Sequence, residues 1–234
     1  AIDYELSRGC PYSCSYCVET VIQKYYGFNE IIRNGVIRYA KQYLRHKTAK
    51  RVFEEMKFLY DNYQIEYFRC QDTNFLTIDR KTLEHLATLL CAETFPIILY
   101  IETRPESIKP AIIPLLKRLK IDGVGMGIEL GSEEFRKSNL NRYPSQEKIR
   151  LAFKLLKEAG IKRTAYNIIG LPNETEEMIL ETIRINQEID PDNITVAFYS
   201  PYLGTHEQEK SKETLFFNDY EYHVDGQIRT VTPS

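Results

Sequence analysis

Apolar residues along the chain alternate between two rhythms. Short, nearly continuous apolar runs at Ile2–Ser7, Ile65–Gln71, Ile97–Thr103, Gly123–Leu130, Ala165–Gly170 and Ile194–Ser200 have the length and composition of strands. Between them the apolar positions take helical spacing. Val52, Met56 and Leu59 share one face of a helix predicted from about Thr48 to Tyr63, and further helices are expected over Thr82–Cys91 and Ile108–Leu119. Stop and start signals fall where this alternation needs them. Pro105 after Arg104 ends the third strand. Ser145 behind Pro144 caps a helix carrying Ile149, Ala152, Phe153 and Leu156, and Gly160 terminates it. Asn173 with Glu176 has capping-box spacing at the start of a helix that reaches about Ile189.

Six strands separated by helices require right-handed crossovers and therefore a parallel α/β sheet. Closing an eight-stranded barrel would need two more units, and the pattern alone also admits a doubly wound open sheet. The 234 residues are read as one core domain, 1–204, and a polar C-terminal extension, 205–234, with no clear element. A strand starting almost at Ala1 gives the expectation of a chain trimmed from something longer.

Composition narrows the function classes. Hydrophobic residues make up 43% and charged residues 27%, ordinary for a soluble globular protein. No run approaches the roughly 18 apolar residues of a membrane helix, and no signal-peptide pattern opens the chain. With a net charge of −2 there is no broad basic field, so nucleic acid is disfavoured as the main partner. The basic clusters Arg45-His46-Lys47 and Lys50-Arg51 are read as a solvated helix face. Five cysteines, an odd number without a secretory signal, argue for reduced thiols in the cytoplasm.

Cys10, Cys14 and Cys17 have the spacing C-x-x-x-C-x-x-C at the end of the first strand. Three thiolates this close can enclose one small metal centre with a coordination position left open. A structural zinc site or a ferredoxin cluster takes four protein ligands, and no fourth Cys or His follows at finger-like distance. A zinc knot completed by a distant His, or three unrelated buried cysteines, stays open on spacing alone. Cys70 and Cys91 are expected to be packed thiols. Two other motifs fail. Gly123, Gly125 and Gly127 lie inside a strand rather than at a strand-to-helix turn, and His206-Glu207 is followed by Lys210 where a zinc protease needs His.

The cysteine motif, with Tyr16 just before its third cysteine, resembles that of the radical S-adenosylmethionine (SAM) superfamily. The resemblance implies a [4Fe-4S] cluster on Cys10, Cys14 and Cys17, with SAM on the open iron. It also implies a reductant such as flavodoxin or ferredoxin, and a six-stranded parallel partial (βα)6 TIM-like barrel. It extends to Tyr67–Phe75, where Asp72 would receive the amino group of SAM, and to Gly125–Ser132, where Glu129 would contact cofactor and Leu130 stands for the family's serine. Asn167–Thr175 resembles the fifth-strand turn near adenine, with Asn167 at its start. Thr103 and Arg104 are candidates for the cofactor carboxylate, and Tyr199 or Phe198 for the adenine or the barrel core.

Ser7–Pro11, Gly127–Glu129 and Gly170–Pro172 together are most similar to cobalamin-associated radical SAM enzymes, including methyltransferases and some cyclases. In these the cobalamin domain precedes the barrel, so cobalamin would arrive through a domain that these residues do not contain. A methylthiotransferase acting on tRNA or protein is the rival enzyme class. A non-catalytic metal- or cluster-binding module is the reading from another class. The substrate is not legible.

Overall fold

The order of the strands in space is their order in sequence. The computed structural model describes residues 1–92 and 96–213, with side chains to 210. One parallel sheet is built from β1 (Ile2–Tyr4), β2 (Tyr67–Cys70), β3 (Ile98–Thr103), β4 (Ile121–Glu129), β5 (Lys162–Ile169) and β6 (Asn193–Phe198). Each strand pairs with its sequence neighbours, and every pairing is parallel. A doubly wound sheet has a point where the strand order reverses. This sheet has no reversal among the described residues, and it curls one way into a partial (βα)6 TIM-like barrel.

The two faces differ in chemistry because successive strand residues point to opposite sides. On the outer face Leu99, Ile101, Val124, Met126 and Ile128 are fully buried in one core with Leu86, Leu116 and Phe153. Burial of each such side chain contributes about 1.5–3 kcal/mol. On the inner face the hydroxyls of Tyr100 and Tyr166 lie 3.1 Å apart, and Tyr166 donates to Glu102 at 3.1 Å. Gly125 makes room for them: a Cβ there would come within 2.6 Å of the Tyr166 hydroxyl.

Several elements follow the sequence pattern closely. Thr48 caps the Ala49–Tyr63 helix, accepting the Arg51 N–H at 3.3 Å. Ser145 caps Gln146–Glu158 through the Lys148 N–H at 3.3 Å, and Gly160 follows at φ +73°. Other elements depart from it for identifiable reasons. The first strand ends at Tyr4, and Ser7–Arg8 pairs antiparallel with Arg45–His46. The expected helix face at Arg45 is therefore a short ribbon, and Lys47 turns to Glu55 at 2.7 Å. Ile108–Leu119 is divided: a 3₁₀ turn spans Pro110–Ile112 and a helix Ile113–Arg118, with a proline at the start of each piece. Asn173 is no cap. It sits at φ +65°, and Thr175 caps Glu176–Ile189 through the Met178 N–H at 3.4 Å. Cys70 is fully buried as expected, but Cys91 is exposed near the end of the Arg80–Ala92 helix.

Of the extension expected over 205–234, the helix His206–Glu213 is described and 214–234 lies outside the described residues. Its first turn rests on the cysteine loop: the Glu207 N–H donates to the Ser15 carbonyl at 3.2 Å, and Thr205 and Gln208 are buried. Among the described residues no helix is long and apolar enough to cross a membrane.

Candidate active site

Cys10, Cys14 and Cys17 occupy the loop between the Ser7–Arg8 strand and the Glu19–Tyr25 helix; the first two are buried and the third half-buried. Two polar side chains one helical turn apart hold this loop. Glu19 Oε1 accepts the Cys10 N–H at 2.9 Å and the Tyr43 hydroxyl at 2.5 Å. Gln23 Nε2 donates to the carbonyls of Cys10 at 2.8 Å and Tyr12 at 3.0 Å, and its Oε1 accepts from the Ser13 hydroxyl at 3.0 Å. Both side chains are buried, so each satisfied bond replaces a costly orphan group. The Ser13 N–H donates to the Gly35 carbonyl at 2.7 Å and the Ser15 N–H to that of Leu140 at 3.1 Å. These bonds brace the loop on both sides.

Positive charge converges on Cys14. Arg104, at the C-terminal end of β3, donates from Nη1 to Cys14 Sγ at 3.2 Å. Its guanidinium carbon lies 3.8 Å from the Tyr12 ring centroid, and its Nε donates to Glu106 at 2.6 Å. Arg142 brings Nη1 to 4.0 Å from the same sulfur, while its Nη2 donates to the Gly127 carbonyl and lies 3.3 Å from Glu129 Oε1. Burial pushes the Cys10 thiol up to about 12 and the Cys17 thiol up to about 11. A metal centre on these sulfurs must displace their protons. Among the described residues no three His, Cys, Asp or Glu side chains converge on a single metal-ion position. The donor set is three thiols with guanidinium neighbours, which fits an anionic iron–sulfur cluster with one iron left free of protein ligand.

The C-terminal ends of β3 and β4, the mouth of the curled sheet, bring further candidates beside the cysteine loop. Glu129 closes β4 at φ +68°, a strained position for a non-glycine residue, and its side chain is buried against Arg142. Burial raises the Tyr16 phenol well above its ordinary value, and the Glu129 charge adds to the effect. Tyr16 packs against a small cluster made by Leu130, Phe135, Leu140, Leu171 and Tyr199. Thr103 donates from Oγ1 to Asn74 Oδ1 at 2.7 Å. Asn74 Nδ2 and Arg142 Nε are buried without hydrogen-bond partners among the described residues. Buried orphan donors call for an acceptor, and a ligand carboxylate is one that suits both amide and guanidine.

Two sequence candidates lie elsewhere. Asp72 is completely buried, and its carboxylate faces the chain that enters the cysteine loop rather than the open mouth. It accepts from the Ser7 N–H and hydroxyl, both at 2.5 Å, and from the Leu6 N–H at 3.4 Å. Asn167 is on the helix side of β5; its Oδ1 accepts from Asn186 Nδ2 at 2.8 Å and its Nδ2 donates to Asn186 Oδ1 at 3.3 Å. The alternation that puts Tyr166 on the inner face turns its neighbour outward. Sequence reasoning missed Glu19, Gln23, Asn74 and Arg142. The i, i+4 polar pair behind the cysteines was a usable signal for the first two; Arg142 had none, because the fold alone delivers it to Cys14.

Comparison with known proteins gives this geometry a family context. A family model described as the radical SAM superfamily matches residues 4–185. The anaerobic magnesium-protoporphyrin IX monomethyl ester cyclase of Rubrivivax gelatinosus is 26% identical over 84% of this chain and 32% of its own length. A tRNA-2-methylthio-N(6)-dimethylallyladenosine synthase of Anoxybacillus flavithermus is 29% identical over 47% of this chain and 21% of its own. Among solved structures, the radical SAM methyltransferase TsrM of Kitasatospora setae, with cobalamin and a [4Fe-4S] cluster bound, superimposes with a TM-score of 0.70. That match has 19% identity and covers 90% of this chain and 36% of TsrM. The chain spans about a third of the length of these curated relatives or less.

Proposed function

The chain belongs to the radical SAM superfamily, and from that premise we propose that Cys10, Cys14 and Cys17 hold its [4Fe-4S] cluster and that SAM binds at the mouth lined by Glu129, Arg142, Tyr16 and Thr103. The single observation that carries the assignment is the meeting of Arg104 and Arg142 at Cys14 Sγ, at 3.2 and 4.0 Å. The family's enzymes use these two cofactors, and when bound they supply one-electron cleavage of the SAM sulfonium bond, giving methionine and a 5′-deoxyadenosyl radical that takes hydrogen from a substrate. The protein's part is to position and to exclude water. Thr103 orients Asn74 so that its free N–H can meet a carboxylate. Arg142 offers its Nε to the same kind of group while it holds Glu129. Tyr16 and Tyr199 wall the site on its apolar side. Asp72 braces the root of the cysteine loop, and Asn167 acts through the helix layer.

For the substrate reaction, cobalamin-dependent methyl transfer or rearrangement is the preferred reading. It is supported by the cyclase likeness, which covers 84% of this chain, and by the fold shared with TsrM. Cobalamin would come from a separate domain. Sulfur insertion into tRNA or protein is the second reading, favoured by the likeness to the methylthio synthase.

Anaerobic reconstitution tests the core of this proposal. About four irons per chain are expected, as for one cubane, with loss of stable incorporation in Cys10→Ala, Cys14→Ala or Cys17→Ala and retention in Cys70→Ser. Adding SAM should change the paramagnetic spectrum of the reduced protein and yield 5′-deoxyadenosine. Zinc in place of iron, in protein purified without oxygen, would overturn it.

A further inference from the structure

The cysteine loop borders a groove whose charged rim has no part in the roles above, although Tyr12 and Arg104 reach into it. Two adjoining cavities of about 560 and 510 Å³ share Tyr12, Glu106 and Lys148. Arg80 and Lys109 line the first, Arg33 and Lys137 the second. Glu106 is the acidic residue in either lining, and Arg104 already neutralises it at 2.6 Å. Arg80 and Lys137 have carboxylate partners on their own helices. Arg33, Lys109 and Lys148 are exposed, and no ion pair is found for them among the described residues. On a chain of net charge −2 this concentration of cations is a local feature.

The floor of the groove leads to the cluster site. Tyr12 lines both cavities; the Arg104 guanidinium is stacked on its ring at 3.8 Å and reaches Cys14 Sγ at 3.2 Å. Arg104 also lines the second cavity, so a single side chain links the groove to a sulfur assigned to the cluster.

We propose that this groove is the docking face of a small acidic one-electron carrier protein, which delivers electrons beneath Tyr12. The proposal rests on the cofactor assignment above and adds the surface and charge of the partner. An electron donor needs a short distance to the cluster, and Tyr12 and Arg104 in the groove lining offer it. Transient redox complexes bury little area and depend on charge complementarity for their encounter rate. Arg33, Lys109 and Lys148, without ion pairs among the described residues, over a tyrosine floor suit an acidic carrier. The exchange makes and breaks no covalent bond: a flavin hydroquinone on the carrier loses one electron to become the semiquinone, and the oxidised cluster gains it. RNA is the other polyanion such a surface could hold, and the overall negative charge of the chain disfavours it.

Reduced flavodoxin is the probe. The variant Arg33→Glu/Lys109→Glu/Lys148→Glu is compared with a charge-matched control, Lys117→Glu/Lys157→Glu/Lys162→Glu, whose residues lie in the last turns of two helices and at the start of β5. Bleaching of the reconstituted cluster is followed in stopped flow with flavodoxin hydroquinone and, separately, with dithionite. The groove variant should be reduced by flavodoxin about tenfold more slowly, within the range of electrostatic steering, and should lose the wild-type salt dependence. Its iron content and its dithionite rate should match wild type, as should the control on all counts. Wild-type flavodoxin kinetics in the groove variant, or equal slowing in the control, overturns the docking face. Unchanged flavodoxin kinetics with lost tRNA binding reassigns the groove to RNA. If wild-type protein takes up four irons but never cleaves SAM with dithionite, the enzyme reading fails, while the two reduction rates still decide the docking face.

Discussion

Arg104 Nη1 lies 3.2 Å from Cys14 Sγ, across ninety positions of sequence. A guanidinium that donates to a cluster ligand stabilises the more negative, reduced form, because hydrogen bonds and positive charge near the sulfurs raise the reduction potential. Arg104→Met should leave iron content near wild type and make reduction harder. A tenfold shift in the equilibrium corresponds to about 59 mV for one electron. Spectroelectrochemical titration reads this directly. An unchanged potential would show that the bond is only a packing contact.

Glu19 and Gln23 should matter as much for iron as the sulfurs do, although neither touches metal. Removing Glu19 orphans the Cys10 N–H and the Tyr43 hydroxyl, at about 1–3 kcal/mol for a buried unsatisfied group. Glu19→Ala is expected to lose folding stability by about that amount yet to stay folded, and to bind iron poorly. Glu19→Gln keeps an acceptor oxygen and should recover much of the incorporation. Iron analysis with urea unfolding separates the two effects; full iron content in Glu19→Ala would refute the role.

The difference between what sequence disclosed and what it concealed has a physical basis. Helix caps such as Ser145 and the strand run at Ile97 are local patterns, and the structure keeps them. The cysteine loop stood out for the same reason: its three cysteines sit within eight residues. Strand order could not be read from periodicity, because open and curled sheets share the same alternation. Arg142 and Asn74 belong to the site only through tertiary approach. Asp72 and Asn167, to which the family resemblance gives a ligand role, bond to Ser7 and Asn186 in this structure, partners that no local pattern announces. Thr175, rather than Asn173, caps its helix, and boundaries of this kind depend on single backbone angles.

Acid should expose the tether between β1 and the Ala49–Tyr63 helix. Burial alone would raise the Glu55 carboxyl, but hydrogen bonds from Lys47, Tyr4 and Arg51 outweigh it and hold the group at about 2. With the folded value below the unfolded one, its contribution is present above the ordinary carboxylate range, about 4.3, and is lost as pH falls toward 2. Glu55→Gln removes that titration. Urea midpoints measured from pH 7 to pH 3 should therefore draw together, the wild-type advantage being full near pH 7 and reduced by about half at pH 3. Parallel curves would mean that the pairing contributes nothing, as solvent-screened surface pairs often do.

Two glycines near the mouth offer a sharper separation of binding from folding. A Cβ on Gly127 would collide with the Glu129 carboxylate and come within 3.1 Å of Arg142 Nη2. Both obstacles are the ends of long side chains, which can move. A Cβ on Gly131 would instead collide with the Glu181 backbone and come within 2.5 Å of the Thr182 nitrogen, and a helix backbone cannot yield. Gly131→Ala should therefore lower thermal stability outright. Gly127→Ala should fold, carry a full cluster and displace the Glu129–Arg142 pair, weakening SAM binding about tenfold, or about 1.4 kcal/mol. Glu129→Gln keeps the side chain's shape, removes its charge and should weaken binding in the same direction. Equilibrium dialysis of SAM against anaerobically reconstituted protein, alongside melting curves, gives both readouts. If Gly127→Ala and Glu129→Gln melt earlier yet bind SAM as tightly as wild type, then Glu129 is a structural partner of Arg142 and the cofactor lies elsewhere along the mouth.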